Sequence, residues 1–132
     1  MVRMRKSIQR RMRGNGPNKA GDIILLPKPG ATLSRGRVRP VLLLTVLPGS
    51  HSDWLFCGIS SRLAEAVPSW DELLLPNDPE FRRSGLRVAS VIRLNWLATV
   101  SPAVVDAAGY LGTVAPDRLG RLLRRFAEHL AR

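Results

Sequence analysis

The chain is expected to fold as a mainly β domain, a small barrel with a C-terminal helix, on three observations. Short apolar runs recur from Gly21 onward, with Pro, Gly, Ser and Asn clusters between them, at the spacing of strands and turns. The last segment changes period, because Leu119, Leu122, Leu123, Phe126 and Leu130 recur at helical intervals. A length of 132 residues with 45% hydrophobic content is one domain's worth, enough to bury about two thirds of the unfolded surface.

The elements follow in order. Residues Met1 to Ala20 carry Arg3, Arg5, Lys6, Arg10, Arg11, Arg13 and Lys19 without an acid, then loosen into Gly14-Asn15-Gly16-Pro17-Asn18. This stretch reads as a basic arm and a flexible joint, or as sequence upstream of a true start at Met12. The domain proper is placed at 21–132. Strands are expected over 22–27, 39–47, 53–60, 72–76, 88–95 and 110–114. Between the third and fifth runs lies an excursion, Arg62 to Arg87, expected to be mostly loop, with Trp70 and Phe81 anchoring it on the body. Ser101-Pro102 is suited to opening one short helical turn that ends near Gly109, and Pro116 to opening the terminal helix. Arg118, Arg121, Arg125 and Arg132 fall off the apolar stripe of that helix, and a solvated face is expected for them.

Composition narrows the function. The net charge of +11 points to a polyanion as partner, most often nucleic acid, or to an acidic protein. No run approaches the ~18 continuous apolar residues of a membrane span, and the N-terminus lacks the apolar centre of a secretory signal, so a cytoplasmic protein away from the membrane is expected. The single cysteine, Cys57, lies in the apolar run Trp54-Leu55-Phe56-Cys57 and reads as a small buried hydrophobe. His51 and His129 are the only histidines. No acidic pair stands at metal-ligand spacing, and no phosphate-cradling loop, zinc motif or serine triad occurs, so neither metal nor cofactor is expected.

What remains for chemistry is arginine and hydroxyl. Arg39 stands at the mouth of the second strand beside Pro40, which has no N–H to give to a ladder, and Lys28, Arg35 and Arg37 crowd the loop before it. Such a set suits cleavage of RNA by its own 2′-hydroxyl. That reaction needs an aligned hydroxyl, stabilised charge on the developing phosphorane and proton movement, but no external nucleophile.

The order Gly21-Asp22-Ile23-Ile24, Arg37-Val38-Arg39-Pro40, Ile59-Ser60-Ser61 and Ser90-Val91-Ile92-Arg93-Leu94 resembles the PemK/MazF family of toxin endoribonucleases from bacterial toxin-antitoxin pairs. The resemblance runs from about Gly21 to the C-terminus. It implies an SH3-like barrel, a homodimer whose groove binds single-stranded RNA, and an acidic, partly disordered antitoxin as partner. It also implies metal-independent cleavage to a 2′,3′-cyclic phosphate and a 5′-hydroxyl. In that family an arginine before proline at the second strand and a Ser or Thr ending the third are tied to cleavage; the matching positions are Arg39 and Ser60. Arg39 is assigned to phosphorane stabilisation, with leaving-group protonation as a second role open to it, and Ser60 to orienting a phosphate oxygen or the attacking hydroxyl. Lys28, Arg35, Arg37 and Ser61 are the expected RNA contacts. Arg93 matches an arginine that some members use beside a catalytic aspartate two residues later, where this chain has Asn95. An amide cannot take a proton at neutral pH. Asn95 is therefore read as orienting the 2′-hydroxyl, and the base is left among His51, Asp53 and water. The other readings are a non-catalytic nucleic-acid-binding or adapter module on the same barrel, and a gyrase-directed toxin such as the related CcdB family.

Overall fold

The computed structural model describes residues 17–27 and 38–132. The basic arm through Gly16 and the loop carrying Lys28, Arg35 and Arg37 lie outside the described residues; residues 17–20 form a turn in which the Lys19 N–H donates to Asp22 Oδ2 (2.8 Å). Six strands form one antiparallel sheet curled into a half-barrel: β1 (Asp22–Pro27), β2 (Val38–Val46), β3 (Trp54–Ser60), β4 (Glu72–Leu74), β5 (Ser90–Val100) and β6 (Gly109–Thr113). Their order across the sheet is β4-β5-β3-β2-β1-β6. A 3₁₀ turn (Leu63–Glu65) and the helices α1 (Phe81–Ser84), α2 (Pro102–Ala107) and α3 (Pro116–Leu130) complete the chain. Among the described residues no helix is long and apolar enough to cross a membrane.

The central strands are apolar at consecutive positions because both faces of the sheet are covered. On one face Ile23, Leu42, Leu44, Cys57, Ile59, Ile92 and Leu94 form a cluster that Val114 and Leu122 of the C-terminal segment close. On the other, Ile24, Leu26, Val41, Leu43 and Trp54 meet Val105 of α2. Adjacent residues of β1 and β2 thus point to opposite cores, and each fully buried Leu or Ile contributes about 1.5–3 kcal/mol of transfer free energy. Cys57 has no exposure, and burial, aided by the nearby Asp71 charge, pushes its thiol up to about 12. The short helix α2 opens as its Ser101-Pro102 start predicts, with Ser101 Oγ accepting from the Val104 N–H (3.4 Å).

β5 runs five residues beyond its expected end. Its register against β3 jumps between Cys57↔Leu97 and Gly58↔Arg93, so Leu94, Asn95 and Trp96 bulge out before pairing resumes. The bulge breaks the alternation that reads as a strand in sequence. Gly58 accommodates it: a Cβ there would stand 2.6 Å from Trp96 Cε3. A second close approach joins α1 to β6, where a Cβ on Gly85, itself left-handed at φ +75°, would overlap the Leu111 carbonyl and one on Gly112 the Arg83 carbonyl.

The excursion 62–87 is ordered by charge more than by apolar burial. Trp70 and Phe81 do pack on the first cluster, and the Trp70 ring sits 6.2 Å from Phe126 and 5.1 Å, edge-on, from His129. Of the four arginines expected on a solvated face, Arg132 is exposed and Arg121 half-exposed, but Arg118 and Arg125 are turned inward. Arg118 is 7% exposed; its Nε donates to Glu80 Oε2 (2.9 Å), and its Nη1 donates to Glu72 Oε1 (2.9 Å) and the Leu73 carbonyl (2.9 Å). Arg121 and Arg125 also donate to Glu72, at 3.0 to 3.1 Å, and Arg125 reaches the Trp70 carbonyl (2.8 Å). Arg118, Arg121 and Arg125 share one face of α3 by the i, i+3, i+7 rule, and that face is turned to the excursion.

Two predictions follow from this clamp. Arg118→Met takes from the largely buried Glu80 its ion-pair partner and leaves Glu72 only Arg121 and Arg125; it should cost about 3 kcal/mol in urea unfolding, whereas Arg121→Met, at a half-exposed position, should cost no more than about 1 kcal/mol. The second concerns acid. Burial acts to raise the Glu72 carboxyl, but the Arg121 hydrogen bond and the charges of Arg121, Arg118 and Arg125 outweigh it, so Glu72 sits below its ordinary value of 4.5. A depressed folded-state value contributes stability that is complete above the unfolded value and is lost as pH falls through the folded one. Glu72→Gln should therefore be less stable than the parent at pH 7, and the gap should narrow below about pH 4.5; a gap that widens with acid would contradict the assignment.

Candidate functional site

The site begins at one end of the sheet, where β2 runs between β1 and β3. Leu26 pairs with Arg39 and Leu25 with Pro40, and Val41 pairs with Gly58 on the next strand. Continuing that register places Arg39 opposite Ser60, on the face of the sheet that carries the second cluster, past the end of its apolar packing. There a cavity of about 500 Å³ opens, lined among others by Arg39, Ser60, Arg62, Glu65, Phe56 and Trp96. Arg39 makes no ion pair among the described residues, so its guanidinium is a cation held beside the cavity without a carboxylate partner. Ser60 is 3% exposed and its Oγ accepts the Arg62 N–H (3.0 Å). That bond fixes the hydroxyl and leaves its own proton to donate.

Arg93 and Asn95 belong to the surroundings of this cavity rather than to its lining. Arg93 Nε donates to Asp71 Oδ2 (3.0 Å) and Nη1 to Glu65 Oε1 (3.1 Å), with the guanidinium carbon 4.8 Å from the Trp96 ring centroid. Asp71, whose side chain has no exposure, also accepts the Val67 N–H on Oδ2 (2.9 Å) and the Leu94 N–H on Oδ1 (2.9 Å). The Leu94 donor belongs to the bulge and has lost its ladder partner, so Asp71 satisfies it. Asn95 is exposed, and its Oδ1 accepts the Trp70 indole N–H (2.9 Å). Ser61 is exposed beside Ser60, while Lys28, Arg35 and Arg37 lie outside the described residues. His51 and Asp53 sit in the β2–β3 turn at the opposite end of the hairpin, roughly 20 Å of strand away from Arg39.

Three cavity residues were not singled out from the sequence. Arg62 and Glu65 lie in a segment read as loop, and Trp96 lies in the bulge that no alternation pattern announces. An aromatic following a run of strand residues, next to a glycine-bearing neighbour strand, is the signal that could have found Trp96. It is 41% exposed, an unusual state for so large an apolar side chain on a sheet. Chemically, the arrangement offers an unpaired guanidinium, a fixed hydroxyl, an aromatic surface and one carboxylate within a single cavity. Its volume lies in the roughly 300–1,000 Å³ range of small-ligand sites. Among the described residues no group of three or more His, Cys, Asp or Glu side chains could hold a metal ion. Compared with known proteins, the chain matches no family model and no curated sequence.

Proposed function

We propose that this protein is an endoribonuclease toxin of the PemK/MazF type, built on that family's SH3-like barrel, which cuts single-stranded RNA without a metal. The observation that carries the reading is Arg39, unpaired among the described residues, beside the fixed Ser60 hydroxyl in one cavity. These are the two positions that the resemblance ties to cleavage, brought together from strands that are separate in sequence. A single strand passing the cavity can stack a base on Trp96, an interaction worth about 1–3 kcal/mol and indifferent to which base is present. The phosphate beside it meets Arg39 and Arg62. A fixed guanidinium stabilises the phosphorane that forms as the 2′-oxygen attacks, and it does so most strongly where charge builds up in the transition state. Ser60 orients a phosphate oxygen or the attacking hydroxyl. In this reading the protein is a homodimer, and an acidic antitoxin, drawn by the basic excess, lies over the cavity and blocks RNA.

Cleavage of a long single-stranded RNA in excess chelator tests this. Arg39→Ala should slow cutting by about a hundredfold or more with the fold intact, and Ser60→Ala should slow it less, since water can replace an orienting hydroxyl. An RNA with one deoxynucleotide at the cut site should resist, because the nucleophile is gone. Cutting that persists at the deoxynucleotide removes the mechanism; retention of RNA with no cutting by the parent protein points instead to a binding module on the same barrel.

A further inference from the structure

The amide at Asn95 leaves the proposed reaction without a proton acceptor, and the cavity holds one elsewhere. We propose that Glu65, on the 3₁₀ turn after β3, takes the 2′-hydroxyl proton; this rests on the nuclease reading above. Among the described residues no other carboxylate lines the cavity. Asp71 is buried and already accepts three hydrogen bonds, Glu72 is held by three arginines, and Asp53 is at the far end of the hairpin. Glu65 lines the cavity with Arg39 and Ser60, and its two oxygens are treated differently. Oε1 accepts from Arg93 (3.1 Å), which fixes the carboxylate, while Oε2 lies 3.7 Å from the largely exposed Arg62 and accepts no hydrogen bond among the described residues. One oxygen is tethered and the other is open, the state a general base needs.

The charged groups facing Glu65 are Arg62 from its own turn, Arg93 from β5 with Asp71 behind it, and Arg39 across the cavity from β2. In the step, the 2′-O–H bond breaks and its proton passes to Glu65 Oε2. The 2′-oxygen bonds to phosphorus, and the bond from phosphorus to the 5′-oxygen breaks. The leaving oxygen takes a proton from water, and the resulting hydroxide is neutralised by the proton Glu65 holds. The net change is transfer of one proton from the 2′- to the 5′-oxygen, with a cyclic phosphate formed. Arg93, at the position the resemblance linked to catalysis, is then a positioning residue that aims Glu65.

The test uses the full chain and a bacteriophage RNA of several kilobases in chelator, over the pH range in which near-UV circular dichroism shows the fold intact. Glu65→Gln should lower the single-turnover cleavage rate by about a hundredfold or more, should keep or tighten RNA retention on a filter, and should abolish the fall in rate at acid pH. Glu65→Asp should recover part of the rate and the acid limb. Resistance of Cys57 to a thiol reagent at pH 8 reports that each variant is folded. Glu65→Gln cutting within about threefold of the parent, or retaining the acid limb, overturns the proposal, as does a parent pH–rate profile that is flat through the carboxylate range. That last result needs no variant to fold. Loss of cutting in Arg39→Ala with no effect of Glu65→Gln would sink the base alone, whereas a parent protein that cuts no RNA would sink the nuclease reading with it.

Discussion

Asp71 and Glu72, neighbours in sequence, point to opposite sides and tie the excursion to β5 and to α3 respectively. Glu72 gathers Arg118, Arg121 and Arg125 of α3, while Asp71 gathers Arg93, the bulge donor Leu94 and the turn donor Val67. The excursion between β3 and β5 has few fully buried apolar side chains of its own, Leu74 being the chief one. Charge-assisted bonds at 2.9–3.1 Å therefore decide its path. Remove them and the 3₁₀ turn that presents Arg62 and Glu65 loses its tether, although the central strands keep both their cores. Stability and site geometry are thus coupled through two carboxylates, neither of which lines the cavity.

The bulge in β5 is the second constraint, and it follows from the first. A strand that shifts register must give up ladder bonds, and the buried Leu94 N–H could not be left unpaired without a cost of about 1–3 kcal/mol. Asp71 absorbs it, the chain is freed to turn Trp96 outward, and Gly58 leaves the space across which the indole lies. A glycine in the middle of a strand weakens that strand, and its use here is the aromatic wall of the cavity.

Local pattern carried far into the fold. Strand 22–27 and the start of α3 at Pro116 coincide with what alternation, helical spacing and proline position predict, and Arg39 and Ser60 were both visible at strand ends. The rest depended on contacts distant in sequence. Arg118 looks like a surface residue until Glu72, 46 residues away, is placed beneath it. Arg93 can be picked out as a cation from its strand, but its ion pairs with Asp71 and Glu65, 22 and 28 residues away, cannot. Trp96 and Glu65 could not be placed on the cavity because one sits in a register shift and the other in a turn without a periodic signature.

The distribution of acids gives the site its sign. Five of the ten acidic residues, Glu65, Asp71, Glu72, Asp78 and Glu80, fall in the excursion, where Arg93, Arg118, Arg121 and Arg125 are spent on them. The remaining cations outnumber the remaining acids by a wide margin; at the cavity Arg39 stands among them, and the largely exposed Arg62 is only loosely paired, 3.7 Å from Glu65. Concentrating the acids in a structural clamp leaves the excess of +11 to act outward as a field that attracts polyanions. Glu65 is where the two regions meet: it belongs to the clamp through Arg93 and to the cavity through its open oxygen, so a single carboxylate stands at the inner edge of an otherwise cationic site. A proton acceptor placed there can serve a polyanion without repelling it, because Arg62 and Arg93 offset its charge in the ground state.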